Sequence, residues 1–186
     1  MIRTTATWSG PPRGTGYLPA AALRLLDEHG GIISTSELRA AGVSQTTLEV
    51  CRSYRSLQAV RQGWHCEPAV PDVIRLAWRF GGPLACVSAL EFYEALDSGE
   101  PDRVAEIAQP LHICVSAGAA RVPTPELLAQ RWGVVEPLTP IIHWNTNDRH
   151  SGDRRAVSRA VALRQADRCD ARTSQGYPCD ARTSQG

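Results

Sequence analysis

The chain contains no lysine: its twenty basic residues are all arginine. A Walker A loop, a Schiff-base or pyridoxal enzyme and a nuclease of the D…ExK type each depend on a lysine, so those chemistries are excluded. A GC-rich genome explains the bias, and a preference for arginine forks on phosphate is compatible with it. The chain also lacks any CxxC spacing among its six cysteines, Cys51, Cys66, Cys86, Cys114, Cys169 and Cys179. It has no secretory leader pattern and no apolar run of membrane-spanning length. These absences predict free thiols in a reducing cytoplasm and no membrane partner. His65 beside Cys66 has no second pair at zinc-finger spacing, which favours a buried strand residue over half a metal site.

With 186 residues, 42% of them apolar, the sequence is long enough and hydrophobic enough for one or two small domains. Residues 1–16, rich in glycine and proline, predict a loose arm. At the other end CDARTSQG occurs twice, at 169–176 and 179–186. Two short polar copies cannot stack as a solenoid, so 169–186 is expected to be a disordered duplicated tail.

Between these ends the pattern breaks near Glu67–Pro71, which predicts domains at 17–67 and 68–168. The first reads helix, helix, helix, hairpin. Pro19 suits the first turn of a helix with Leu23, Leu25 and Leu26 inward, closed by Gly30 and Gly31. Ser34 and Glu37 have capping-box spacing, and Ile33 with Leu38 stands at the positions of a hydrophobic staple. Gly42 suits the left-handed close of that helix; Ser44 opens the next, with Val43 and Leu48 as a second staple. Two short helices joined through a glycine are the mark of a helix-turn-helix. The third helix, Gln45 to Tyr54, turns Leu48 and Cys51 inward. Strands at Leu57–Val60 and Trp64–Cys66, joined through Gly63, would then form a wing.

The second domain predicts a helix at Asp72–Phe80, a helix opened by a Ser88–Glu91 capping box with Val87 and Phe92 as staple, strands at Leu111–Ser116 and Ile141–Trp144, a short helix capped by Thr124, and a last helix at Asp153–Arg168. The fold class is therefore α+β, an N-terminal winged helix-turn-helix followed by a small mixed α/β second domain.

A major-groove reader needs side chains that reach base edges and groups that hold phosphates. Gln45 and Thr46 lie at the entry of the third helix facing the bases, where Gln can pair with adenine and Thr can touch a thymine methyl, and Thr47 beside them is a further candidate DNA contact. Arg52 lies further along the same face, within range of guanine or phosphate. Arg55, Arg61 and Gln62 are placed for the backbone, and Ser44 with the helix-start amides can hold a phosphate. Glu49 on this face opposes DNA. From Ser44 to His65 the charge is Arg52, Arg55 and Arg61 against Glu49, a modest excess that asks for help from Arg3, Arg13 or a dimer. A solvated helix face is the plainer explanation of the same residues.

His112 and His143 are interspersed with strand apolars, which predicts that they face solvent or one another across the sheet. His150, flanked by Asp148 and Asp153, reads as loop polarity, and Trp78, Phe80, Phe92 and Tyr93 read as core. There is no nucleophile elbow, metal spacing or phosphate loop, so the sequence predicts no enzyme, cofactor or metal.

The stretch from Ala20 to Leu96, with HGGIISTSELRAAGVSQTTLE, the hairpin VRQGWHC and the helix start VSALEFYEAL, resembles the N-terminal region of AbiEi-type antitoxins of type IV toxin–antitoxin systems and related actinobacterial transcriptional regulators. Weaker similarity continues through LHICVS and IIHW. The resemblance implies a winged helix that represses its own promoter, double-stranded DNA as partner, a cognate toxin as a further partner, and a second domain that aids repression or opposes the toxin. Longer relatives carry a C-terminal endonuclease-like domain that this sequence is expected to lack. Two other readings stay open: a protein-interaction module built on the same winged helix, and a remnant of a longer protein.

Overall fold

A computed structural model describes residues 17–108, 110–119, 122–133 and 139–173. Residues 1–16, Cys179 and most of the duplicated block lie outside them. The chain is mixed α/β and divides between Val70 and Pro71, inside the stretch where the sequence pattern breaks. Among the described residues no helix is long and apolar enough to cross a membrane.

The first unit contains α1 (Ala20–Glu28), β1 (Ile32–Ser34), α2 (Thr35–Ala40), α3 (Gln45–Ser53), β2 (Gln58–Arg61) and β3 (Trp64–Cys66). Both short helices start where local chemistry places them. The Ser34 hydroxyl accepts from the Glu37 N–H, and the Glu37 carboxylate accepts from the Ser34 N–H, which completes the capping box. Ser44 accepts from the Thr47 N–H at 3.0 Å and caps α3. Ile33 and Leu38, then Val43 and Leu48, are buried as the two staples require. Gly42, at φ +85°, takes the left-handed conformation that turns the chain from α2 into α3. These side chains join Leu18, Ala22, Leu26, Cys51 and Leu57 in one apolar core, with Leu23 and Leu25 packed half-buried against it.

The sheet is antiparallel in the order β1-β3-β2, with Ile32 opposite Cys66 and Gln58 also opposite Cys66. The sequence reading had a two-stranded hairpin. β1 escaped it because all three of its residues are buried, which leaves no alternation to read.

The second unit contains α4 (Asp72–Phe80), α5 (Cys86–Asp97), a 3-10 turn at Pro101–Glu106, β4 (His112–Val115), α6 (Pro125–Trp132), β5 (Ile141–Trp144), α7 (Thr146–Arg149) and α8 (Arg159–Thr173). β4 and β5 pair in parallel, with Cys114 opposite His143. A parallel pair needs a crossover, and α6, capped by Thr124 with Pro125 in its first turn, lies within it. Leu84 bridges β4 on one side and Ala156 on the other. The Trp78 indole donates to the Arg154 carbonyl and the Tyr93 hydroxyl to the Val157 carbonyl, which pins the segment before α8 onto α4 and α5.

Three elements of this unit depart from the sequence expectation. α5 starts at Cys86 with Ala85 as its cap residue, so Ser88 is not the N-cap; its hydroxyl accepts instead from the His112 N–H. The last helix starts at Arg159, because Asp153 binds the Arg155 backbone and guanidinium in a turn of its own. That helix also runs through Thr173, so the first residues of the block expected to be a disordered tail are helical, with Cys169 buried.

Candidate nucleic-acid interface and a buried Cys/His cluster

α3 follows α2 after the four residues 41–44 and buries Leu48 and Cys51, which leaves its opposite face in solvent. Ser44, Gln45, Thr46, Arg52, Arg55 and Gln62 are exposed, while Thr47 and Arg61 are half-buried. The Gln45 amide donates to Glu49 at 2.9 Å, and the Ser44 hydroxyl lies 2.8 Å from that of Thr47. Arg3 and Arg13 of the expected arm lie outside the described residues.

Two features mark the passage from the helix to the hairpin. Arg55 sits just beyond the end of α3 at φ 56°, a left-handed position that glycine occupies more readily, where its N–H closes onto the Arg52 carbonyl at 3.0 Å. A non-glycine residue there costs about 1–2 kcal/mol. His65 of β3 is held down at about 4 by burial, and then by the positive charge of Arg52. The Arg52 charge thus acts on a histidine that is itself fully buried. His65 Nε2 meets the Thr35 hydroxyl at 3.0 Å, which makes it the buried strand residue expected from sequence.

In the second unit, Cys86, His112, His143 and Cys169 are all buried, and their potential ligand atoms lie within 4.8 Å of one another. His112 Nδ1 is 3.2 Å from His143 Nε2, and Cys169 Sγ is 4.0 Å and 3.8 Å from the same two nitrogens. The two histidines do face each other, as one of the two sequence alternatives had it, but away from solvent. Burial lowers the His112 pKa and pushes the Cys86 thiol up to about 11. Cys51, Cys66, Cys86 and Cys114 are not disulfide-bonded, as expected. Cys169 departs from that expectation and is disulfide-bonded.

Cys86 and Cys169 carried no signal in the sequence. The four residues come from the start of α5, from β4, from β5 and from α8, so no short spacing exists to be found. Near His150 in the sequence, Asp148 accepts from Arg164 and Gln165, and Asp153 from Arg155.

No family model and no curated protein sequence matches this chain.

Proposed function

We propose that the first unit is a winged helix-turn-helix that binds double-stranded DNA, with α3 in the major groove and the β2–β3 hairpin as the wing, and that the protein is a cytoplasmic, sequence-specific transcriptional regulator of its own promoter. The observation that carries this reading is the exposed polar face of α3, with Ser44, Gln45, Thr46 and Arg52 in solvent and Arg55 exposed just beyond the helix end. On this reading Gln45 and Thr46 meet base edges, Arg52 meets a base or a phosphate, and Ser44, Thr47, Arg55, Arg61 and Gln62 hold the backbone. The antitoxin role and a cognate toxin rest on the family resemblance alone.

The test is binding of the purified protein to its own upstream DNA against a scrambled duplex, titrated in salt with competitor present. Arg52→Ala with Arg61→Ala is expected to weaken binding and flatten the salt dependence by about two phosphate contacts while the fold is retained. Unchanged binding by the folded double variant would overturn the assigned face. The Gln45–Glu49 pair and the modest charge favour, as the second reading, a surface that contacts a protein. Absence of DNA binding at low salt, with recovery of one stoichiometric partner, would decide for it.

A further inference from the structure

The Cys86, His112, His143 and Cys169 side chains converge from four separate segments on one buried point. A hydrogen bond between two stacked imidazoles accounts for the nitrogen pair but not for two sulfurs arriving beside it. Tetrahedral zinc with bonds of about 2.0–2.1 Å to nitrogen and about 2.3 Å to sulfur needs roughly 3.3 Å between the nitrogens and roughly 3.6 Å between nitrogen and sulfur. The nitrogens here are 3.2 Å apart, and the Cys169 sulfur stands 3.8 and 4.0 Å from them, a few tenths of an ångström from that geometry.

The surroundings are built to hold these groups. Cys86 opens α5 at φ 49°, a left-handed conformation that a cysteine adopts only when held there, at a cost of about 1–3 kcal/mol. Its N–H donates to the Gln165 side-chain oxygen at 3.0 Å, and the Gln165 amide nitrogen is fixed in turn by Asp148. His112 is fixed through its backbone on both sides, its N–H donating to Ser88 and its carbonyl accepting from Ala85. Such partners set ligand orientation around a metal.

We infer that, with Cys169 in its thiol form, Cys86, His112, His143 and Cys169 bind one zinc ion as a closed structural site. Two neutral imidazoles and two thiolates are a borderline-soft donor set that favours zinc in a tetrahedron. Each thiol gives up one proton to solvent on binding, and the two thiolates cancel the charge of the dication, so the buried centre is neutral. Four protein ligands leave no open position, which makes the role structural: the ion ties the start of α5, both strands and α8 into one body.

The experiment is a cobalt titration of the untagged full chain, stripped of metal and kept under a phosphine reductant without oxygen, with zinc added afterwards. One equivalent of Co2+ is expected to give the intense visible bands of a tetrahedral thiolate site, which one equivalent of zinc then bleaches. Cys86→Ser and Cys169→Ser should each lose the bands, while Cys66→Ala, in the other unit, keeps them. Unreduced protein, with Cys169 in its disulfide, should give none. Reduced wild-type protein that is folded by circular dichroism yet gives no bands would overturn the site, and so would bands that persist in Cys86→Ser or in the unreduced protein.

Discussion

Gln45 and Glu49 are joined across one turn of α3, the amide of the first donating to the carboxylate of the second at 2.9 Å. The side chain best placed to read a base is thus engaged by the one acidic group on the same face. On the proposed DNA-binding reading, binding must break this pair and bring a carboxylate toward phosphates. Glu49→Gln removes the charge and keeps the shape. One unit charge near a phosphate in high dielectric is worth about 1 kcal/mol, so the variant should bind DNA roughly fivefold more tightly at low salt, with the difference shrinking as salt rises. Equal or weaker affinity in a fluorescence-anisotropy titration would place Glu49 away from the phosphates.

A pH dependence follows from His65. Its pKa in the folded protein is about 4 against an ordinary 6.5, because burial and then Arg52 disfavour the cation. Between those two values the unfolded chain binds more protons than the folded one, so stability is fully present above about 6.5 and is lost as the pH falls toward 4. The loss is on the order of 3 kcal/mol at the acid end. Arg52→Gln removes the second cause, so its His65 should titrate at a higher pH and the protein should lose less stability on acidification. Proton NMR of the His65 ring against pH measures the first effect, and urea midpoints at pH 7 and 5 measure the second. Identical His65 titrations in the two proteins would show that the Arg52 charge does not reach β3.

The first unit was legible because its signals are local. Ser34 with Glu37 and Ser44 with Thr47 are contacts across three residues, and the staples Ile33–Leu38 and Val43–Leu48 span five. The Ser88–Glu91 spacing misled for the opposite reason. The chain is already helical at Cys86 because its N–H finds Gln165, seventy-nine residues away, which no local pattern can announce. The Cys/His cluster was illegible on the same ground: the Cys169 contacts to His143 and His112 span 26 and 57 residues, and His112 reaches His143 across 31. What the pattern did give was the two strands, with His112 and His143 facing either solvent or one another; the pairing of β4 with β5 decides for the second.

Gly82 is a position where the second unit has no room for a side chain. A Cβ there would stand 1.8 Å from the Cys114 carbonyl oxygen, which is backbone. That backbone cannot retreat, because Cys114 lies in β4, is paired in register with His143 of β5, and donates its N–H to the Pro83 carbonyl at 2.9 Å. Gly82→Ala must therefore push β4 away from the end of α4. Overpacking against rigid backbone costs about 3 kcal/mol or more, enough to lower the unfolding midpoint by about 10 °C. His112 lies two residues before Cys114 on the same strand, so the variant should also weaken the proposed zinc site. Gly118→Ala is the matched control, since a Cβ there meets nothing within 4 Å, and it should change stability by no more than about 0.5 kcal/mol. Thermal melts of the two variants under reductant, each with and without one equivalent of zinc, separate the effects. A Gly82→Ala melt equal to that of Gly118→Ala would mean that β4 does not press on this glycine. A lowered melt with an unchanged zinc increment would mean that the strand shifts without carrying His112 along.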